Sequence, residues 1–518
     1  MSNQATDNRI DEITIVGGGT AGWLTATFLV TALNQQNPDN PLKLNVIVSP
    51  DIPSIGVGES TLPIMSSLLE LLGINEAEFL LRCNATFKCA GRFVNWDVDP
   101  QGNPRTFITP FNSAEHINGY HPAYYFKRFG SLIGKPEYAD NIFPSQAVID
   151  AFKGPRTLDM DQYEGAIGYS YHLDAKLFAE VLQEIAIERG VNFISDDVLE
   201  VKQADNGFIS SLQLKQRGHF PVKFVVDCTG FKGKIIREVL KEPFESYRPY
   251  FLCDRALPVI MPHKHPKKIR PATTATGLSA GWAWEVPLYN RAGTGYVYSS
   301  AFIDDDTAHD ELMKHLGGGE PIFSPGVVKF EVGVSKRNWV KNCVALGLAG
   351  GFVEPLEATA IGMIDKAARW LAAYLPDQQV SPEIANQFNK LMDTAQQEIR
   401  DFIFMHYYLS NRLDTPFWRA VRYDMHEPDT LIEKFELWNR ILPTPDATLG
   451  HQMFDWENYM NVLFGKGFLT NTHSPLEASM TLKPWKQYND MLRNAKDNML
   501  KHLPGHYDLL THIRNSVK

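Results

Sequence analysis

The sequence predicts an α/β fold followed by a mostly helical module. Three observations predict it. A β-branched run, Ile13-Thr14-Ile15-Val16, passes directly into the glycine-rich turn GGGTAGW and then into a helical stretch. Strand ends closed by small residues return far downstream, at FVVDCTGF (224 to 231) and VALGLAGGF (344 to 352). The chain then ends in an aromatic-rich segment after about residue 380. The expected division is an α/β unit over residues 10–380, assembled from separated pieces with substrate-side sheet segments interleaved, and a helical module over 381–518.

Composition bounds the function. The chain has 518 residues, 44% hydrophobic and 21% charged, which is ordinary for a globular protein too long for one small core. A formal net charge of −10 argues against nucleic acid as a partner, because phosphate binding needs a basic surface. No apolar run approaches the roughly 18 residues a membrane span needs. The opening MSNQATDNRIDE is polar and acidic, so no signal peptide is expected. Five cysteines without a CxxC pair fit reduced thiols and a cytoplasmic location. No ligand cluster predicts a metal site. The basic run HKHPKKIR (263 to 270) reads as a solvated, proline-broken loop.

The first strand leads into GxGxxG, formed by Gly17, Gly19 and Gly22. Gly17 permits the tight turn, Gly19 lets backbone approach a pyrophosphate, and Gly22 lets helix and strand pack closely. The helix WLTATFLVTALNQQ, ending near Asn37-Pro38, then presents its free N–H groups to the anion. This predicts a dinucleotide without separating FAD from NAD. The second strand, Leu44 to Val48, ends Val48-Ser49-Pro50-Asp51, so the acid expected for the ribose hydroxyls is missing or displaced to Asp51. GVGESTLP (56 to 63) is a tight polar loop in which Ser60 or Thr61 is expected to cap the helix PIMSSLLELLG. Asp174 is expected to cap AKLFAEVLQEIAIERG, and His172 reads as a satisfied core histidine. Trp282 and Trp284, two apart on a strand, fall on one face. ATAIGMIDKAARWLAAYL reads as a helix entered through Pro355, with Thr359 and Ala360 near its N-terminus.

In this order, GGGTAGW, GVGESTLP, FKCAGRFVNW (87 to 96), YHLDA (171 to 175), DCTGF, GWAWEVPL (281 to 288), GFVEPLEATAI (351 to 361) and HYYLSNRLDTPFW (406 to 418) resemble the flavin-dependent tryptophan halogenase family, over about residues 10 to 420. Val286 stands where the family's WxWxIP motif has isoleucine. The resemblance implies an FAD-binding flavoprotein of the two-dinucleotide-binding type. FADH2 would come from a separate NAD(P)H-dependent flavin reductase, since no second fingerprint is visible. With O2 and a chloride or bromide ion it yields hypohalous acid, which travels through a tunnel to a lysine and halogenates an electron-rich ring such as indole or tryptophan. Family members are often homodimers.

Carried over residue by residue, the resemblance implies Lys88 and Glu357 as catalytic, with Glu354 structural. It implies FAD contacts from Gly17, Gly19, Thr20, Ala21, Gly22, Glu59, Val198, Leu348 and Ile361, and a halide at the backbone of Thr359 and Ala360. Trp282 and Trp284 would keep the organic substrate away from the flavin. Phe111 and Trp456 would wall the substrate, with Thr109 where free-tryptophan members have histidine. Leu348 replaces an acid that usually touches the ribityl chain, and Ala358 replaces a serine found in several members between lysine and flavin. Two other readings compete: a flavin monooxygenase or reductase of the same fold, and a flavin-binding protein without halogenating activity.

Overall fold

The computed structural model describes residues 10–35, 41–52, 56–376, 380–471 and 474–517. The polar N-terminal stretch up to Arg9 and the expected helix end near Asn37-Pro38 lie outside the described residues.

The first strand, Glu12–Val16, is central because both its faces are covered. Ile13, Thr14 and Ile15 are fully buried, as befits a parallel strand between helix layers. It pairs in parallel with Lys43–Val48 on one side and Phe224–Asp227 on the other. The described strands of this sheet run in the order Trp339–Val340, Cys343–Ala345, Phe224–Asp227, Glu12–Val16, Lys43–Val48, Asn192–Ser195, with only the first of these antiparallel. The register Val16↔Asp227 puts the GxGxxG turn beside Cys228, whose N–H donates to Val16 O at 2.9 Å.

The glycines of that turn answer to close backbone approach. Gly17 has φ +124°, and a Cβ there would lie 2.2 Å from Cys228 O. A Cβ on Gly22 would lie 1.9 Å from Gly17 O. Around Gly19 the same construction meets open space, so its backbone faces a cradle. The helix Thr20–Leu29 follows, with no side chain capping its first N–H groups, and continues as a π-helical turn, Val30–Asn34. It packs against Ala175–Glu188 and Thr359–Tyr374.

A second sheet is mostly antiparallel: Val328–Lys329, Arg255–Met261, Ala292–Tyr298, Gly281–Pro287, Thr273–Gly277, Ala90–Val98, Pro104–Pro110. One parallel pairing, Thr273–Gly277 with Ala90–Val98, joins its two halves. A three-stranded sheet, Glu59–Ser60, Ser170–Leu173, Thr86–Lys88, abuts it. Lys88 ends one strand and Ala90 begins the next, so the lysine sits at the joint between two sheets. The regular elements after Ser381 are helices, beginning with Pro382–Tyr408. They share a hydrophobic core with the α/β part, which runs from Ile10 to Ile513.

Asp174 accepts from the N–H groups of Lys176 and Leu177 and so caps Ala175–Glu188. The expected Ser60 or Thr61 cap is corrected: the helix Ile64–Leu71 starts at Pro63 without a side-chain cap. Both hydroxyls are drawn to sheet residues instead, Ser60 to Thr273 of the second sheet and Thr61 to Ser170 of the three-stranded one. Most of the basic run is exposed, but Ile269 is 1% exposed and anchors its end in the core.

Gly22→Ala should destabilise the fold by about 1–3 kcal/mol, because the new methyl meets backbone that cannot swing aside. A lowered urea midpoint with unchanged slope would show it.

Candidate functional site

Lys88 is 3% exposed. Its strand neighbours Phe87 and Cys89 are fully buried, so the side chain has no route to solvent along its own strand. Its Nζ donates to Thr61 O at 3.0 Å and lies 5.0 Å from the Phe111 ring centroid. Burial lowers its pKa from 10.5 to about 8, and the Glu357 carboxylate pulls the other way.

This amine lines a cavity that adjoins two others. The first, about 440 Å³, is lined by Gly19, Thr20, Ala21, Glu59, Leu348, Thr359, Ala360 and Ile361 among others. The second, about 210 Å³, is lined by Lys88, Glu357, Ser60, Arg92, Trp282 and Trp284 and shares Glu59, Pro355 and Ala360 with the first. The third, about 470 Å³, is lined by Thr109, Phe111, Phe402 and Phe454 and shares Glu357 with the second. The lysine cavity therefore lies between a cavity at the dinucleotide turn and a cavity walled by aromatic rings.

Glu357 is poised by local backbone. The short 3-10 turn Pro355–Glu357 ends at Ala358, which is left-handed (φ 56°) and precedes the helix Thr359–Tyr374. No side chain caps that helix, and its first residues, Thr359, Ala360 and Ile361, line the first cavity. Glu357 Oε1 lies 2.8 Å from Nε2 of the buried His406. His406 Nδ1 faces Phe402 O at 2.9 Å, one helical turn earlier, which fixes the ring.

The tryptophan pair is held from behind. Trp282 is 1% exposed and its Nε1 donates to Glu354 Oε2 at 3.0 Å. Tyr407 donates to the same oxygen. Glu354 is itself fully buried, and desolvation raises its pKa to about 7. The two indole rings meet edge to face, with centroids 6.3 Å apart. Packing around Glu59 likewise raises its carboxyl to about 7.

Two expected site residues stand elsewhere. Trp456 does not line the aromatic cavity. Asp455 forms a capping box with Asn458, which makes Trp456 the first residue of its helix and turns its ring onto His121, 4.8 Å away. Phe454 takes that wall, stacked on Phe402 with centroids 3.8 Å apart. Val198 lines neither the first nor the second cavity; it begins the strand Val198–Gln203, and its carbonyl accepts from Lys234. Sequence reasoning missed Phe454, Phe402 and His406. The last two are four apart on one helix and so share a face, which was a usable signal. It also missed Glu398, which accepts the N–H groups of Gln452, Met453 and Phe454 and shapes the cavity wall.

A glycine turn at the end of a central strand, an uncapped helix start and a buried amine in a small cavity between two larger ones define an α/β fold of the dinucleotide-binding class. The profile of the tryptophan halogenase family matches residues 12–481. The chain is 34% identical to the tryptophan 6-halogenase ThaL of Streptomyces albogriseolus, covering 98% of this chain and 100% of that one. It is 34% identical to the tryptophan 7-halogenase RebH of Lentzea aerocolonigenes, covering 97% and 98%. The crystal structure of a tryptophan halogenase from Shewanella frigidimarina superposes with a TM-score of 0.91 at 31% identity, covering 98% of each chain. The chain belongs to the tryptophan halogenase family. It is a flavin-dependent halogenase, with a mixed α/β fold of the FAD-binding kind and a helical module.

Lys88→Met should stabilise the protein at pH 7. The folded-state pKa is lowered, so below about pH 8 the buried ammonium costs up to about 3 kcal/mol. Between pH 8 and 10.5 the folded lysine is neutral while the unfolded one is still charged, so the parent gains stability with rising pH and the difference shrinks. Urea unfolding at pH 7 and at pH 9.5 checks both the sign and the trend.

Proposed function

We propose that the chain is an FADH2-dependent halogenase acting on tryptophan or another electron-rich indole, with Lys88 presenting the halogen. The observation that carries this reading is the buried Nζ of Lys88 in a cavity that shares walls with both the dinucleotide-side and the aromatic cavity.

The residues present fit the cofactor. Gly19 offers backbone at an open cradle, and the first turn of Thr20–Leu29 offers uncapped N–H groups to a pyrophosphate. Thr20, Ala21, Glu59, Leu348 and Ile361 line the space for the ring system. When bound, reduced FAD supplies with O2 the oxidising equivalent that converts halide to hypohalous acid. The backbone of Thr359 and Ala360, at the N-terminus of a 16-residue helix, would hold the halide.

The chain's own residues do the rest. Trp282 and Trp284 wall the lysine cavity with bulk that carries no nucleophile, and Glu354 keeps Trp282 in place. Lys88 donates a hydrogen bond to the hypohalous oxygen, or, when neutral, takes the halogen as a haloamine while the oxygen–halogen bond breaks and the hydroxide leaves as water with the amine proton. A pKa near 8 leaves both forms within reach at working pH. Phe111, Phe402 and Phe454 present ring faces for an indole. Glu357, beside both the lysine and the aromatic cavity, takes the ring proton, with His406 behind it.

The reductant comes from a separate NAD(P)H-dependent flavin reductase. No helix among the described residues is long and apolar enough to cross a membrane. The five cysteines are free thiols, which fits a reducing cytoplasm.

Incubation with FAD, a flavin reductase, NADH, bromide and tryptophan, with indole in parallel, should give a product heavier by one bromine in place of hydrogen. Lys88→Ala should lower that yield at least about a hundredfold while FAD affinity is retained. Full turnover in Lys88→Ala would reassign the site. Trp284→Ala should raise the reductant consumed per product formed, and unchanged coupling would remove the gate from the scheme.

A further inference from the structure

The three-stranded sheet carries a chain of polar side chains that the mechanism above does not use. In its register Ser60 and Thr86 both stand opposite His172, one on each side, and Lys88 stands opposite Ser170. Directly opposed residues project to the same face, as do residues two apart on one strand. Ser60, Thr86, His172 and Lys88 therefore share one face, and Ser60 lines the same 210 Å³ cavity as Lys88.

Hydrogen-bond chemistry orients every proton along this chain. Thr86 Oγ1 lies 2.6 Å from Pro287 O, and a carbonyl only accepts, so the Thr86 hydroxyl proton is committed there. At 3.0 Å from His172 Nδ1, Thr86 can then only accept, so Nδ1 carries hydrogen. His172 is fully buried, and burial together with the nearby Lys88 and His506 holds its pKa well below the usual value, so the ring is neutral. Its Nε2 is then an acceptor. Thr273 Oγ1, 2.9 Å away, donates to it. Ser60 Oγ, 2.7 Å from Thr273 Oγ1, donates in turn. The Ser60 proton is thereby committed to Thr273, a fellow wall of the cavity, and the lone pairs of the Ser60 oxygen are left for a molecule within it.

We propose that Ser60, oriented by Thr273, His172 and Thr86, is the hydrogen-bond acceptor that holds hypohalous acid in the passage beside Lys88. The inference rests on the halogenase reading above. Hypohalous acid has one O–H to donate and an oxygen to accept with. The Lys88 ammonium offers only donors. An oriented acceptor across the same small cavity completes the pair and fixes which end of the molecule meets the amine. Ala358 contributes no hydroxyl to this wall, and Oε1 of Glu357 already faces His406. No bond is made or broken at Ser60. It is a positioning residue, retaining oxidant that would otherwise diffuse away.

The test compares the oxidant that escapes with the oxidant that is used. The full-length enzyme is run with FAD, flavin reductase, NADH, bromide and tryptophan in the presence of monochlorodimedone, which traps free hypohalous acid. Ser60→Ala should keep FAD affinity and raise the ratio of trapped halogen to halogenated product by about fivefold, the size expected for one hydrogen bond. Thr273→Val should do the same, and Ser60→Thr should restore the parent ratio. An unchanged ratio in Ser60→Ala overturns the proposal. If the parent yields neither trapped halogen nor product, the halogenase reading itself fails. An independent readout needs no turnover. Long-range ¹⁵N–¹H spectra of the histidine-labelled apoprotein at neutral pH should show His172, identified by its loss in His172→Gln, as the Nδ1–H tautomer. An Nε2–H or doubly protonated ring would reverse the chain and overturn the proposal.

Discussion

The structure depends on keeping one amine out of water. An ammonium at the joint of two sheets, with fully buried neighbours on its strand, is held there by a single carbonyl contact, a ring face and a carboxylate. Desolvation works against it, which is why its basicity falls towards neutral pH. A position that costs stability in this way is retained where a lysine has work to do. The surrounding parts make sense on that basis: a closed sheet joint, a small cavity, and larger cavities on either side.

The same constraint explains the division of labour between the layers. The parallel sheet and its glycine turn can bring backbone close to an anion. The antiparallel sheet supplies the Trp282–Trp284 wall, because residues two apart on a strand share a face. The helices after residue 381 contribute what a sheet cannot. Tyr407 and His406, consecutive on one helix, reach Glu354 and Glu357 respectively. One helix thus braces both the aromatic wall and the carboxylate beside the lysine.

The polar interior follows a consistent logic. Buried acids are met by donors from distant segments: Glu354 by an indole and a phenol, Glu398 by three backbone amides, Asp227 by the amides of Thr229, Ile235 and Ile236. Each such acid fixes a loop or a ring at the site, since leaving any of these partners unpaired inside the core is costly.

How much of this was legible depended on range. The glycine turn, the strand into it, the Asp174 cap and the paired tryptophans are local patterns, set by backbone sterics and side-chain periodicity within a few residues. The sequence alone determined those, and through its ordered motifs the family. Residues whose roles are set by long-range partners were misread or missed. Ser60 looked like a helix cap until the sheet drew its hydroxyl to Thr273, 213 positions away. Trp456 looked like a substrate wall until a capping box from Asp455 to Asn458 set it at the helix start, with its ring on His121, and left Phe454 in its place. That Lys88 is buried, that its cavity adjoins two others, and that His406 and Glu398 brace residues lining them were decided only in three dimensions, because burial and hydrogen-bond pairing belong to what packs against a residue and not to its neighbours along the chain.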